Sequence, residues 1–297
     1  MHSLSIIIPH KNIPNLLKRC LNSIPDIEDI QVIVVDDNSS EDIVDFDNFP
    51  GLERNNVEYI FDKQGGGAGH ARNMGLKHAD ADWLIFADAD DFFTDDFYSI
   101  IQNHFNDDAQ LILFKAKSVF SDTLETSDRY EELNMAIDKV LNGELKPQEA
   151  SLEKPGPCSR MIRRQVVQEN DILFDEVMAS NDMLFVAKVT CLAKKALVSE
   201  EVIYVVTRRR GSLMDNSMKD PENYLCRMEV MIRWNRYLKN TPYENYRLPI
   251  CVYVARARKF GTNVFCRACG LAIKKKAFFS GFAHFMRTVK RHLHLIK

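Results

Sequence analysis

Short apolar runs alternate with amphipathic stretches over the first 116 residues, the pattern of a parallel sheet whose strands are buried on both faces under helices. The runs predict strands at 4–8, 31–35, 57–61, 82–87 and 110–115. Between the first two strands, Leu16, Leu17, Cys20, Leu21 and Ile24 recur at helical spacing. Asn12 is expected to cap that helix, with Pro14 in its first turn and Pro25 at its end. A second helix is predicted from about 68 to 79, entered through Gly65-Gly66-Gly67-Ala68-Gly69. A third should start at Thr94, whose hydroxyl is expected to cap Asp95, Asp96 and Phe97. From 117 to 156, polar clusters and a Lys154-Pro155-Gly156-Pro157 break loosen the pattern, which predicts a connection or a substrate-facing insertion. Strand and helix signals return at 158–164, 165–170, 181–193 and 202–207, and from Asp220 onward the pattern is helical.

Chemistry in an open parallel sheet gathers where strands end in loops at their C-terminal edge. Pro9-His10-Lys11-Asn12 ends the first predicted strand, Asp36-Asp37-Asn38-Ser39 the second, the glycine loop follows the third, and Asp88-Ala89-Asp90-Asp91 the fourth. Three carboxylates within four residues repel one another, so a fold keeps them where a cation compensates. Hard oxygen ligands suit Mg²⁺ or Mn²⁺, and Asp88 and Asp90 are the candidate ligands. A solvated acidic turn leading into the next helix is the plainer alternative for Asp91 to Asp96. The glycine loop fits neither nucleotide fingerprint. Gly67-Ala68-Gly69-His70-Ala71-Arg72 has Arg where a dinucleotide loop needs its third Gly, and no Gly-Lys-Ser/Thr follows for a Walker loop. What remains is a loop feeding a helix N-terminus, suited to anionic or polar groups, with Arg72 one turn in.

Taken together, Ser5-Ile6-Ile7-Ile8-Pro9, Val34-Val35-Asp36-Asp37-Asn38-Ser39, Gly69-x-Ala71-Arg72-Asn73-x-Gly75 and Phe86-Ala87-Asp88-Ala89-Asp90-Asp91 resemble, in order and spacing, the nucleotide-binding half of family-2 inverting glycosyltransferases of the GT-A fold. The resemblance covers residues 3 to 116. A weaker likeness to the acceptor-side segment follows at Met161-Ile162-Arg163-Arg164, Phe174 and Asn181-Asp182-Met183-Leu184-Phe185, and it ends by about residue 215. The resemblance implies an α/β GT-A fold with a mostly parallel Rossmann-like sheet flanked by helices, to which the helical pattern from Asp220 onward adds a helical C-terminal appendage. It implies a nucleotide-sugar donor, a UDP-sugar first among them, and a saccharide or lipid-linked acceptor. Pro9 and Asp37 would line the base pocket. Asp88 would hold the ribose or assist the metal, Asp90 would ligate the metal, Arg72 would pair with the acidic cluster, and Asp182 would be the general base. Arg208-Arg209-Arg210 lies where the family often places a basic segment near the diphosphate, with Arg209 the leading candidate. The chain departs from the family pattern in having Lys11 where an aromatic residue is usual and Asn181-Asp182 where Glu-Asp is usual. Two other readings stay open at this point, a sugar nucleotidyltransferase and a non-catalytic GT-A module that binds a sugar nucleotide or a partner.

Composition adds a charge asymmetry. The formal charge is −3, from 39 Lys+Arg against 42 Asp+Glu, yet twelve of the basic residues and none of the acids lie between Asn245 and Lys297. In residues 262–297, Phe265, Leu271, Ile273, Phe278, Phe279, Phe282, Phe285, Met286 and Val289 are interspersed with these cations, the composition of an amphipathic helix at an anionic membrane surface. A helix packed on the acidic body is the alternative. Nucleic acid is not expected, because no recognised binding module accompanies the charge. No apolar run reaches the length of a membrane span and no leader is apparent, so the expected location is cytoplasmic, on the inner face of the membrane where the tail engages it. Seven scattered cysteines fit reduced thiols, and Cys266-x-x-Cys269 lacks a second pair for a zinc site. His10, His70 and His78 read as loop or helix-surface residues, the Phe92-Phe93 and Phe97 cluster as core, and Met178 and Met183 as core or acceptor-pocket wall. The expected organisation is a nucleotide-sugar half at 1–116, an acceptor and base half at 117–215, and a basic helical region at 216–297.

Overall fold

The structure, a computed structural model, describes residues 2–208 and 220–281. Eight strands form one sheet: β1 (Leu4–His10), β2 (Ile30–Asp37), β3 (Val57–Asp62), β4 (Trp83–Phe86), β5 (Phe92–Phe93), β6 (Leu111–Phe120), β7 (Arg160–Arg163) and β8 (Ala196–Arg208). Their order is β3-β2-β1-β4-β7-β6-β8-β5. The first four in this order are parallel, as is β6 with β8, whereas β7 runs antiparallel between β4 and β6, and β5 antiparallel to β8. The C-terminal ends of β1, β2, β3 and β4 therefore share one edge.

Side-chain alternation explains why β1 and β2 are nearly continuous apolar runs. On one face, Ile6, Ile8, Val32, Val34 and Ile85 pack with Leu17, Cys20 and Leu21 of helix α1 (Pro14–Asn22). On the other, Ile7, Ile33, Val35 and Phe86 pack with Ala71 of α2 (Gly67–His78), and the same core takes in Ile137 of α4 (Glu131–Leu141) and Phe185 of α7 (Met183–Leu192). Helix α2 lies so close to β1 that a β-carbon on Gly75 would sit 2.5 Å from Ile7 Cγ2. The remaining helices are α3 (Phe97–Ile101), α5 (Pro147–Glu153), α6 (Arg164–Glu169), α8 (Pro221–Leu238), α9 (Ile250–Arg256) and α10 (Thr262–Lys274).

The structure corrects several expectations. Residues 117–156 hold the end of β6 and two helices, α4 and α5; Leu133, Ala136, Ile137 and Ala150 are buried, so the stretch closes the core. Asn12 does not cap α1. It sits at positive φ, and its side-chain oxygen accepts from Ser40 N–H, tying the β1 and β2 loops together. The Thr94 hydroxyl donates to the Val202 carbonyl and caps no helix; Asp96 precedes α3. His10 is buried against Asp36, while Phe93 and Phe97 are core as expected.

Beyond β8, α8, α9 and α10 gather around Met228, Ile232, Ile250, Val254, Val264 and Ala268. Trp234 and Leu238 of α8 rest on Leu184 and Ala187 of α7. Helix α10 turns Val264, Ala268 and Ala272 inward, so this part of the basic tail packs as the alternative reading expected, and that face is not available to a membrane. Residues 282–297 of the tail lie outside the described residues. No helix among the described residues is long and apolar enough to cross a membrane.

Candidate active site

At the shared sheet edge, β1 and β2 deliver Pro9 opposite Val35 and His10 opposite Asp36. His10 Nδ1 lies 2.7 Å from Asp36 Oδ2, and His10 Nε2 accepts from Ile13 N–H, which leaves Nδ1 as the donor to the carboxylate. Burial opposes the Asp36 charge, but hydrogen bonds from His10 and from the Ser39 hydroxyl and N–H outweigh it and lower its pKa. Asp36 is thereby a structural anion whose oxygens are taken. Its neighbour Asp37 accepts from Gly67 N–H at 2.8 Å and faces Lys11 Nζ at 3.3 Å, so it links the β2 end to the glycine loop.

The acidic loop after β4 is held from three sides. Arg19 of α1 donates to the Asp90 carbonyl at 2.6 Å and stacks over Phe92. From β8, the Thr207 hydroxyl donates to the same carbonyl and Thr207 N–H to Asp91 Oδ1. The Tyr204 hydroxyl accepts from Asp88 N–H and hydrogen-bonds the Asp91 carboxyl. These contacts bring carboxylate oxygens of Asp88, Asp90 and Asp91 within 4.8 Å of one another. Burial, then the charges of Asp88 and Asp90, push Asp91 well above the ordinary carboxylate range. Crowded hard oxygen donors around a carboxyl that resists ionisation are what a divalent cation would relieve, so the residues present fit Mg²⁺ or Mn²⁺.

Arg72 joins this loop to the segment before α7. Nη2 donates to Asp88 Oδ1 at 2.6 Å, Nη1 donates to Asn181 Oδ1 at 2.9 Å, and the guanidinium stands over the Phe174 ring. Burial works against its charge, but Asp88, Cys158 and Asp182 together raise its pKa. Asn73 fixes the start of the same segment, its amide pairing with both the N–H and the carbonyl of Phe174. The fit is tight at Gly69, where a β-carbon would lie 2.2 Å from the Asp175 carbonyl oxygen. Asp182 occupies the N-cap position of α7, yet its carboxylate accepts no capping bond from the helix. Burial raises its pKa while Arg72, and more weakly Arg160, hold it down. Arg160 is itself buried, tied to the Ser151 hydroxyl and the Lys154 carbonyl, and burial lowers its pKa to about 10.

Asp88, Asp90, Arg72 and Asp182 thus belong to one linked constellation, with Pro9 and Asp37 farther along the same sheet edge. Arg209 lies outside the described residues. The residues missed from sequence are Arg19, Asn73, Tyr204 and Thr207. Asn73 follows Arg72 within the quoted motif and could have been suspected; the other three reach the loop from α1 and β8 and carry no local signal. His70 contacts Asp62 and Glu176 rather than standing free on a helix surface, at 3.5 and 3.2 Å.

The family model "Glycosyl transferase family 2" matches residues 5–170, more than half of the chain. The poly(ribitol-phosphate) beta-glucosyltransferase of Bacillus spizizenii is 28% identical over 240 residues, covering 77% of this chain and 36% of that protein. The poly(ribitol-phosphate) beta-N-acetylglucosaminyltransferase TarS of Staphylococcus aureus is 25% identical, covering 75% of this chain and 39% of that protein. The chain thus spans under two fifths of the length of these relatives. A crystal structure of S. aureus TarS 1-349 in complex with UDP-GlcNAc superposes with a TM-score of 0.63 at 23% identity, covering 88% of this chain and 73% of that one. A mannosyltransferase from Pyrobaculum calidifontis in complex with GDP-Man and Mn²⁺ superposes with a TM-score of 0.54 at 14% identity, covering 98% and 87%. The fold is GT-A, and the chain belongs to glycosyl transferase family 2.

Proposed function

We propose that the chain is a metal-dependent inverting glycosyltransferase that moves a sugar from a UDP-sugar to a hydroxyl of a saccharide or lipid-linked acceptor in surface polysaccharide synthesis. One observation carries the reading: Arg72 bridges the acidic loop to the segment bearing Asp182, so candidate metal and phosphate ligands share a site with an uncapped carboxylate. Asp90 and Asp88 would hold the metal, which when bound neutralises charge on the diphosphate. Pro9 and Asp37 would receive the base, and Arg209 would add charge at the diphosphate. Asp182 takes the proton of the acceptor hydroxyl as its oxygen bonds to the anomeric carbon and the bond from that carbon to the diphosphate breaks. The donor choice draws on TarS with UDP-GlcNAc, and the acceptor class on relatives named for poly(ribitol-phosphate).

Because burial raises the Asp182 pKa, the base is lost by protonation as pH falls, and kcat should decline on the acid side at a pH above the ordinary 3.8. Incubation with UDP-glucose, UDP-N-acetylglucosamine and GDP-mannose, with Mn²⁺ and then with a chelator, tests the reading. Release of UDP only with metal supports it; equal release in the chelator contradicts metal dependence, and NMR of the product anomer decides inversion.

The acceptor class also suggests work at an anionic membrane on its cytoplasmic face. With the apolar face of α10 turned inward, the surface on offer is the edge where Ile273 (68% exposed) and Phe279 (76%) stand beside Lys239 and Lys276, with the exposed Lys274 following Ile273 in the chain. None of these three lysines forms an ion pair among the described residues. The proposed division keeps residues 1–215 as the catalytic unit, in its nucleotide and acceptor halves, with 216–297 as the basic region.

A further inference from the structure

The segment 174–182 is anchored at both ends, at its start on α2 and at its finish by Asp182, the N-cap residue of α7, whose carbonyl accepts from Val186 N–H. At the start, Asn73 pairs with both backbone groups of Phe174 and with Glu176, and Arg233 of α8 meets Asp175 at 2.7 Å. Gly69 lets the Asp175 carbonyl close on α2. Between the two ends the chain bulges outward, with Met178 70% exposed and Ser180 at positive φ. At the far end a backbone bond from Asp175 N–H to the Asn181 carbonyl closes the loop, and the Asn181 side chain reaches Arg72. The next residue is Asp182.

Arg72 has two donor arms in a fixed plane, one on Asp88 and one on Asn181. A guanidinium held at both arms and backed by Phe174 has little freedom to tilt, so the position of Asp88 in the acidic loop is transmitted to residue 181. We propose that Asn181 is a positioning residue, the strut through which Arg72 sets Asp182 against the donor-binding acidic loop. Its amide serves this purpose without charge. It accepts from Arg72 as a carboxylate would, but adds no second anion beside Asp182 and leaves Asp88 as the one carboxylate paired with Arg72 among the described residues. The role predicts a separation of functions: the strut acts on turnover, while donor binding rests on Asp88, Asp90 and the strand ends.

This inference rests on the reading of Asp182 as the base, and the experiment separates the two. Asn181→Ala, Asn181→Asp and Asp182→Asn are compared with the unaltered protein for UDP affinity by calorimetry with Mn²⁺, for kcat on the UDP-sugar turned over, and for melting temperature. The strut requires Asn181→Ala to lower kcat about 10- to 100-fold, a size typical of lost positioning, with UDP affinity within about twofold. Asn181→Asp, which restores an acceptor for Arg72, should recover part of that loss. An Asn181→Ala protein with unchanged kcat overturns the strut, as does an equal fall in kcat and UDP affinity, which would mark general damage. Retained turnover in Asp182→Asn overturns the base reading and the inference with it, whereas an inactive Asp182→Asn beside a fully active Asn181→Ala overturns the strut alone.

Discussion

The edge proposed to take the donor and the segment proposed to face the acceptor are built in different ways. At the edge, the side chains stand at or just past the last residues of strands whose register fixes them: Pro9 and His10 end β1, Asp36 and Asp37 end β2, and Asp88 lies two residues after Phe86 of β4. The acceptor-side segment has no strand of its own. It is positioned by Gly69, Arg72 and Asn73, more than a hundred residues earlier in the chain. Burial of the sheet fixes the strand ends of the first region, with hydrogen bonds from α1 and β8 on its acidic loop, whereas the second region depends on hydrogen bonds to α2 around the buried Phe174.

If the two regions differ in this way, damage to them should differ in kind. The largest effect is expected at the acidic loop. Asp90→Ala removes a hard ligand for a cation worth several kcal/mol to the leaving group, so metal-stimulated turnover should fall on the order of a thousandfold and calorimetry should register weakened Mn²⁺ binding. Next comes His10→Ala, which leaves the buried Asp36 without its imidazole donor. A loss of about 2 to 3 kcal/mol in denaturant unfolding is expected, with the Ser39 N–H and hydroxyl still donating to the two carboxylate oxygens. An unchanged unfolding midpoint would mean that the edge does not depend on this pair. The smallest effect belongs to a surface outside both regions. Lys274→Ala and Lys276→Ala should each weaken sedimentation with vesicles of anionic phospholipid about fivefold, near 1 kcal/mol per cation, without altering turnover of a soluble donor. A change in turnover would place the patch within the catalytic machinery.

The same contrast explains what could be read in advance. Strands β1 to β4 and helix α1 were legible because continuous apolar runs and helical spacing are local signals, and the acidic loop was legible because three carboxylates at a strand end require compensation. The Arg19, Tyr204 and Thr207 clamps on that loop were not, since each comes from an element distant in sequence. Residues 117–156 were misread because polar turns at both ends obscured the buried Leu133, Ala136 and Ile137. Asn12 and Thr94 followed the statistics of helix capping, but the loop of a neighbouring strand and the backbone of β8 claimed their side chains. His10 offered no local sign of burial, because its partner Asp36 lies on the adjacent strand. The departure at Asn181 was visible in sequence, but its pairing with Arg72 was not, and the structure places a neutral acceptor for Arg72 next to Asp182.

The central claim is that Asp182 performs chemistry while the strand-end residues bind the donor. Its most direct test is Asp182→Asn, measured side by side for UDP binding with Mn²⁺ and for turnover. A positioned general base contributes about 10²- to 10⁴-fold, so turnover should fall by at least about a hundredfold while UDP affinity stays within about twofold. Turnover close to that of the unaltered protein would contradict the account.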